Sequence, residues 1–248
     1  MKKFYEKNEI WFAVIWIIVY VVGASLADTF SSMIGIEKVI TLPFLFALSA
    51  FFVIWIVKNN LKDKYGLCKP IGDIKNYLFY LPLLVLISVN FWMGARLNYS
   101  PLESVLFALS MVLVGFVEEI IFRGLLFKAI AKENVKVAII VSSVTFGIGH
   151  IINLISSGGE NILSHLLQVF YAMAVGFLFV VMFYRGKSLV ACIVTHSLVN
   201  AGSTFQNAVI PAYVEIIQAV VIIVVAVVYA VVLWRTLPKQ EDNLVENK

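Results

Sequence analysis

Apolar runs of about twenty residues recur along this chain, and they leave few folds open to it. A helix rises about 1.5 Å per residue and the hydrocarbon core of a bilayer is about 30 Å thick, so each run is long enough to cross. Hydropathy marks eight candidate spans, at about 10–29, 39–57, 77–95, 103–128, 136–155, 161–184, 188–206 and 210–235. The 248 residues are 61% hydrophobic and only 14% charged, far from the make-up of a soluble domain. The expectation is an all-α polytopic membrane protein, a bundle of about eight transmembrane helices forming one domain over residues 1–248. Its polar tail, about 238–248 (PKQEDNLVENK), reads as disordered. Cys68 falls in a loop and Cys192 in a helix, which speaks against a disulfide framework.

The net charge of +4 does not point to nucleic acid, because the basic residues lie between the apolar runs. Sixteen of the 19 Lys and Arg fall in the termini and even-numbered loops, two (Lys38 and Arg96) in odd-numbered loops, and Arg123 lies inside a span. The positive-inside rule then puts both termini in the cytoplasm of a protein integral to the cell membrane. Met1-Lys2-Lys3 before an apolar run resembles a signal peptide, but Glu6 and Glu9 spoil the basic segment, and Trp11 and Trp16 favour a retained first helix. The loop KNNLKDKYGLCKPIGDIKNY reads as a topology signal with a turn at Lys69-Pro70.

Two adjacent glutamates, Glu118 and Glu119, stand inside the fourth span, with Arg123 four residues after the second. A carboxylate near mid-bilayer costs roughly 2.5–3.5 kcal/mol on insertion scales, so such residues face a polar interior and belong as a rule to a working site. Glu119 and Arg123 share a helix face, and the pair is explicable as a buried ion pair that supports packing. Glu118, about 100° around the helix, is left for chemistry. Phe146 and His150 repeat the four-residue spacing on the fifth span, with Gly147 and Gly149 permitting close helix approach. His196 and Asn200 repeat it on the seventh. Each histidine, taken singly, is equally read as a packing or interhelical hydrogen-bonding residue. Counting at about 1.5 Å per residue sets Glu118, His150, His196 and Asn200 within a slab about 8 Å thick. That predicts one polar cavity, opening toward the cytoplasmic half. His165, at the start of the sixth span, reads as interfacial and remote from it.

A carboxylate beside an imidazole can take a proton from water, and a second imidazole with a carboxamide can donate to the oxyanion of a tetrahedral intermediate. These are parts of a hydrolase with no covalent intermediate and no cofactor. Zinc on two histidines and a glutamate is the rival, without an H-E-x-x-H helix to support it. Ser142, Ser143 and Ser197 lie near the motifs, but none sits in a G-x-S-x-G setting.

The ordered set Glu118-Glu119-x-x-x-Arg123, Phe146-x-x-x-His150 and His196-x-x-x-Asn200 resembles the intramembrane glutamate proteases of the CAAX-processing and bacteriocin-processing (CPBP, or Abi) family. Its best-known members are type II CAAX prenyl endopeptidases. The resemblance implies that Glu118 and His150 activate a water, that His196 and Asn200 form the oxyanion site, and that Glu119, Arg123 and Phe146 shape it. It makes the motif-bearing core about 103–206. The implied partners are the lipid bilayer and a hydrophobic or lipidated peptide: a CAAX-type tail, a peptide precursor or a membrane-protein segment. Two other functions fit a chain of this pattern. One is a non-catalytic bacteriocin-immunity protein. The other is a small transporter with carboxylates as a proton relay, although no broken-helix repeat supports it.

Overall fold

A computed structural model of the chain describes residues 1–70, 80–156, 158–207 and 210–236. The predicted tail at 238–248, the start of the predicted third span and part of the basic loop before it lie outside these residues. The described chain is helical: α1 Lys2–Lys7, α2 Glu9–Ile34, α3 Thr41–Lys58, α4 Leu81–Ser88 with a 3₁₀ turn Val89–Phe91, α5 Pro101–Glu118, a π-helical segment Glu119–Phe127, α6 Lys128–Ala131, α7 Val135–Gly149, α8 Ile151–Ser156, α9 Ile162–Gly186, α10 Val190–Ser203 and α11 Ala212–Thr236. Among the described residues β pairing is limited to one bridge, Ala95 with Gln206.

Local chemistry sets several of the starts. Asn8 caps α2 by accepting from Trp11 N, and Asn134 caps α7 by accepting from Val137 N. Ser100 and Glu103 form a full capping box at α5, with Pro101 in the first turn where its missing N–H costs nothing.

Among the described residues six helical stretches have the length and hydropathy to cross a bilayer: Glu9–Ile34, Thr41–Lys58, Pro101–Ala131, Val135–Ile155, Ile162–Gly186 and Ala212–Thr236. Among the described residues the regions of the expected third and seventh spans hold the shorter apolar helices Leu81–Phe91 and Val190–Ser203. At 14 residues α10 is about 21 Å long, less than the hydrocarbon thickness. The apolar run around it had counted Leu189 and Phe205, which belong to its flanking turns. α10 lies against α5 and α4, and Asn90 Nδ2 on the turn after α4 donates to Val199 O at 2.6 Å. α9 is the most enclosed long helix, with 56% of its apolar window buried, whereas α2 is peripheral at 22%.

Successive long helices alternate in direction, which gives the bundle two ends. At the end carrying the N-terminus, Glu9 pairs with Lys64 (2.6 Å) and Lys132 (2.9 Å), and Leu189 N donates to Gly66 O (2.8 Å). Burial holds the Lys64 ammonium below its ordinary pKa, opposed by the hydrogen bond to Glu9. At the opposite end Lys38 pairs with Asp28 (2.7 Å), Glu37 N donates to Glu103 Oε1 (3.1 Å), and Ser164 donates to Glu215 (2.7 Å). The interior at the N-terminal end is filled by aromatic rings: Phe12, Phe52, Trp55, Tyr65, Phe127 and Phe183 are all buried.

Candidate active site

The π segment carries the charged centre. Every residue from Glu119 to Phe127 is buried, and Arg123 and Glu119 are both fully inaccessible. Arg123 Nη1 donates to Glu119 Oε1 at 2.9 Å, the pair expected from the four-residue spacing. The wider π turn was not expected; such turns occur frequently at functional sites. The Arg123 guanidinium lies 4.1 Å over the ring of Phe146, so it meets a π face as well as a carboxylate.

Two glycines bring the elements together. A methyl on Gly115 would sit 2.6 Å from Ser197 N, so α5 and α10 touch at backbone distance. A methyl on Gly147 would meet Val169 O at 2.8 Å and the Met173 side chain closer still, so α7 and α9 do the same. Gly149 behaves differently from expectation. It faces open space and lines the cavity, and only Gly147 serves the helix contact.

The α5–α10 contact sets His196 between the two glutamates. Its Nδ1 lies 2.9 Å from Glu119 Oε1 and its Nε2 lies 3.3 Å from Glu118 Oε2. Glu119, itself held by Arg123, therefore fixes the imidazole, the part that an orienting carboxylate plays toward a catalytic histidine. Glu118 Oε1 accepts from Tyr20 OH at 2.7 Å. Its Oε2 is buried and makes no hydrogen bond to the protein. Phe146 stands among these groups, edge-on to His150 (centroids 5.3 Å apart) and to His196 (5.5 Å).

The fifth span, Val135–Ile155, carries a one-residue turn at His150, between α7 and α8. The imidazole in contact with Glu118 is that of His196, whereas His150 lines the cavity beside Phe146.

Glu118, His150, His196, Asn200 and Phe146, from the three motif-bearing spans, all line one cavity of about 1100 Å³. The direction of its opening differs from expectation. Going outward from Glu118 the lining residues are Ser25, Asp28 and Ser32 on α2, Asn153 on α8, and Ser164 and His165 at the start of α9. All belong to the end opposite the N-terminus, where Ser32 and Met33 at the rim are exposed. The reason is volume. Large rings fill the N-terminal end of the bundle, and small or short polar side chains line the other. His165, expected near the outer face and far from the slab of motif residues, is half-buried at this mouth.

The serines are otherwise engaged. Ser142 donates to Phe122 O (2.9 Å), Ser143 to Ile139 O (2.7 Å) and Ser197 to Val112 O (2.9 Å), which leaves none poised as a nucleophile beside a base. Both nitrogens of His196 face carboxylates, and among the described residues no three His, Cys, Asp or Glu are grouped to hold a metal.

Tyr20 is the residue that reading the motifs missed. It lies on α2, outside them, in an apolar run where one tyrosine carries no signal. Residues 100–202 match the family model of the Type II CAAX prenyl endopeptidase Rce1-like proteins, a stretch that contains all three motifs and excludes α2. Comparison with curated proteins and with solved structures gave no match.

Proposed function

We propose that this chain, whose residues 100–202 match the Type II CAAX prenyl endopeptidase Rce1-like family model, hydrolyses a peptide bond in a membrane-associated substrate through a water activated by Glu118. The observation that carries this reading is the environment of one carboxylate. One oxygen of Glu118 is held by Tyr20, the other is buried 3.3 Å from His196 Nε2 without a hydrogen bond to the protein, and the residue lines a cavity shared with two imidazoles and a carboxamide.

In this reading the substrate carbonyl enters beside Glu118. Glu118 takes a proton from water as the oxygen attacks the carbonyl carbon, with His150 on the same cavity wall helping to hold that water. The oxyanion accepts hydrogen bonds from His196 Nε2 and from the Asn200 carboxamide, one helical turn along α10. On collapse the C–N bond breaks, the carbonyl re-forms as a carboxylic acid, and Glu118 returns the proton to the departing amine. Phe146 spaces the two imidazoles and covers Arg123.

The chemistry needs no cofactor. Activity in a chelator is expected to equal that without it, and activity lost to a chelator and restored by zinc would replace the water-activation scheme with a metal one. The test of the whole reading is mass spectrometry of membrane peptides from cells carrying wild-type or Glu118→Gln protein at matched membrane levels. Peptides that appear with the wild type and vanish with the variant identify the substrate. If cells are protected against a bacteriocin equally by both proteins, and no peptide differs, the chain is an immunity protein that works by binding.

A further inference from the structure

We infer that the cavity takes its substrate from the extracytoplasmic side of the membrane, so the scissile bond belongs to an exported or translocated peptide segment and not to a cytoplasmic lipidated tail. The inference rests on the hydrolytic reading only for the word substrate; the orientation stands on separate observations. Beyond Phe122 and Phe179, which line the cavity, the N-terminal end of the bundle is packed with the buried rings of Phe12, Phe52, Trp55, Tyr65, Phe127 and Phe183, whereas the lining continues toward the other end past Ser25, Asp28 and Ser32. The packed end carries the basic residues. Lys7, Lys58, Lys62, Lys64, Lys128 and Lys132 are among those gathered there, whereas the open end has Lys38 and Arg96, the former already bound to Asp28. Every connection is short enough for the positive-inside rule to apply, and the rule holds the basic end in the cytoplasm. The open end then faces away from it.

The geometry also limits what can reach the base. Phe107, Met111, Val114 and Glu118 line the cavity along one face of α5. From Phe107 to Glu118 the descent is roughly 16 Å at about 1.5 Å per residue. An extended chain covers that in about five residues at roughly 3.3 Å each. A substrate must therefore offer an unwound segment of about that length from the outer leaflet, as a precursor peptide or the outer end of a membrane helix can.

The test uses the full chain with Cys68→Ser and Cys192→Ala, adding single cysteines at the mouth (Ser32→Cys, and Met33→Cys as a second site) or at the basic end (Lys7→Cys). Spheroplasts are treated with a membrane-impermeant maleimide before or after permeabilisation. The expected result is full labelling at Ser32→Cys and Met33→Cys in intact spheroplasts, with labelling at Lys7→Cys only after permeabilisation. The reverse pattern, or equal labelling of both ends in intact spheroplasts, overturns the inference. Labelling needs no turnover, so it separates a wrong orientation from a wrong chemistry. A mouth labelled from outside in a protein whose Glu118→Gln variant changes no peptide would leave the orientation standing and remove the hydrolase.

Discussion

Arg123 and Glu119 form an ion pair from which water is wholly excluded, and such a pair is unforgiving when one member is removed. Arg123→Met is expected to cost about 3–5 kcal/mol of stability by leaving the Glu119 charge uncompensated, and Glu119→Gln added to it to recover part of that loss. Thermal unfolding in detergent measures both, and additive losses would show that the pair does not act as a unit. Tyr20 tests a different property. Tyr20→Phe keeps the ring and removes one hydrogen bond to a carboxylate, worth about 1.5–3 kcal/mol, so kcat should fall by roughly 10–100-fold with little change in KM or unfolding temperature. An unchanged kcat would detach Tyr20 from Glu118's work. Asn200→Ala should lower kcat by roughly 10²–10³, the usual effect of losing an oxyanion donor, and a near-neutral variant would remove it from that role. That the polar residues of the three motifs share a cavity was legible because charge in an apolar run is costly and four-residue spacing stacks side chains. Tyr20 was not, because a tyrosine in a membrane helix is ordinary and its partner lies 98 residues away.

The helices α5, α7, α9 and α10 hold the site by touching at glycines, and the two glycines of the Gly147–Gly149 pair should respond oppositely to the same substitution. Gly147→Ala drives a methyl into the Val169 carbonyl and Met173, an overpacking that costs about 1–3 kcal/mol, and it should lower both unfolding temperature and activity. Gly149→Ala meets open space and should leave the unfolding temperature where it is. Equal destabilisation by both would mean that α7 and α9 do not pack this way. Sequence spacing identified close approach near these glycines but could not say which one makes it, since that depends on where α9 crosses. The π segment was equally hidden: Glu119 and Arg123 meet in either helix form, so their spacing did not report the wider turn. The seventh anticipated span holds only the 14-residue α10 for a related reason, as hydropathy sums apolar residues whether they continue a helix or sit in the turn beside it.

For the molecule as a whole, the all-α membrane architecture and the meeting of three motifs in one cavity followed from run length and polar spacing. The side on which the cavity opens did not. Counting residues along a helix gives depth, and access is decided by what fills the space above and below. Aromatic rings from α2, α3, the π segment and α9 occupy the basic end, and no local pattern in any one helix announces that they meet. What the bundle supplies to the reaction is therefore a closed floor and an open mouth, with Glu118 between them.

The most direct measurement is turnover of the substrate peptide by the purified chain in lipid nanodiscs, comparing wild type with Glu118→Gln at matched unfolding temperature. Removal of the base with its shape retained should lower kcat by roughly 10²–10⁴, the range for losing a general base. A variant that cleaves within about twofold of the wild type would contradict water activation by Glu118.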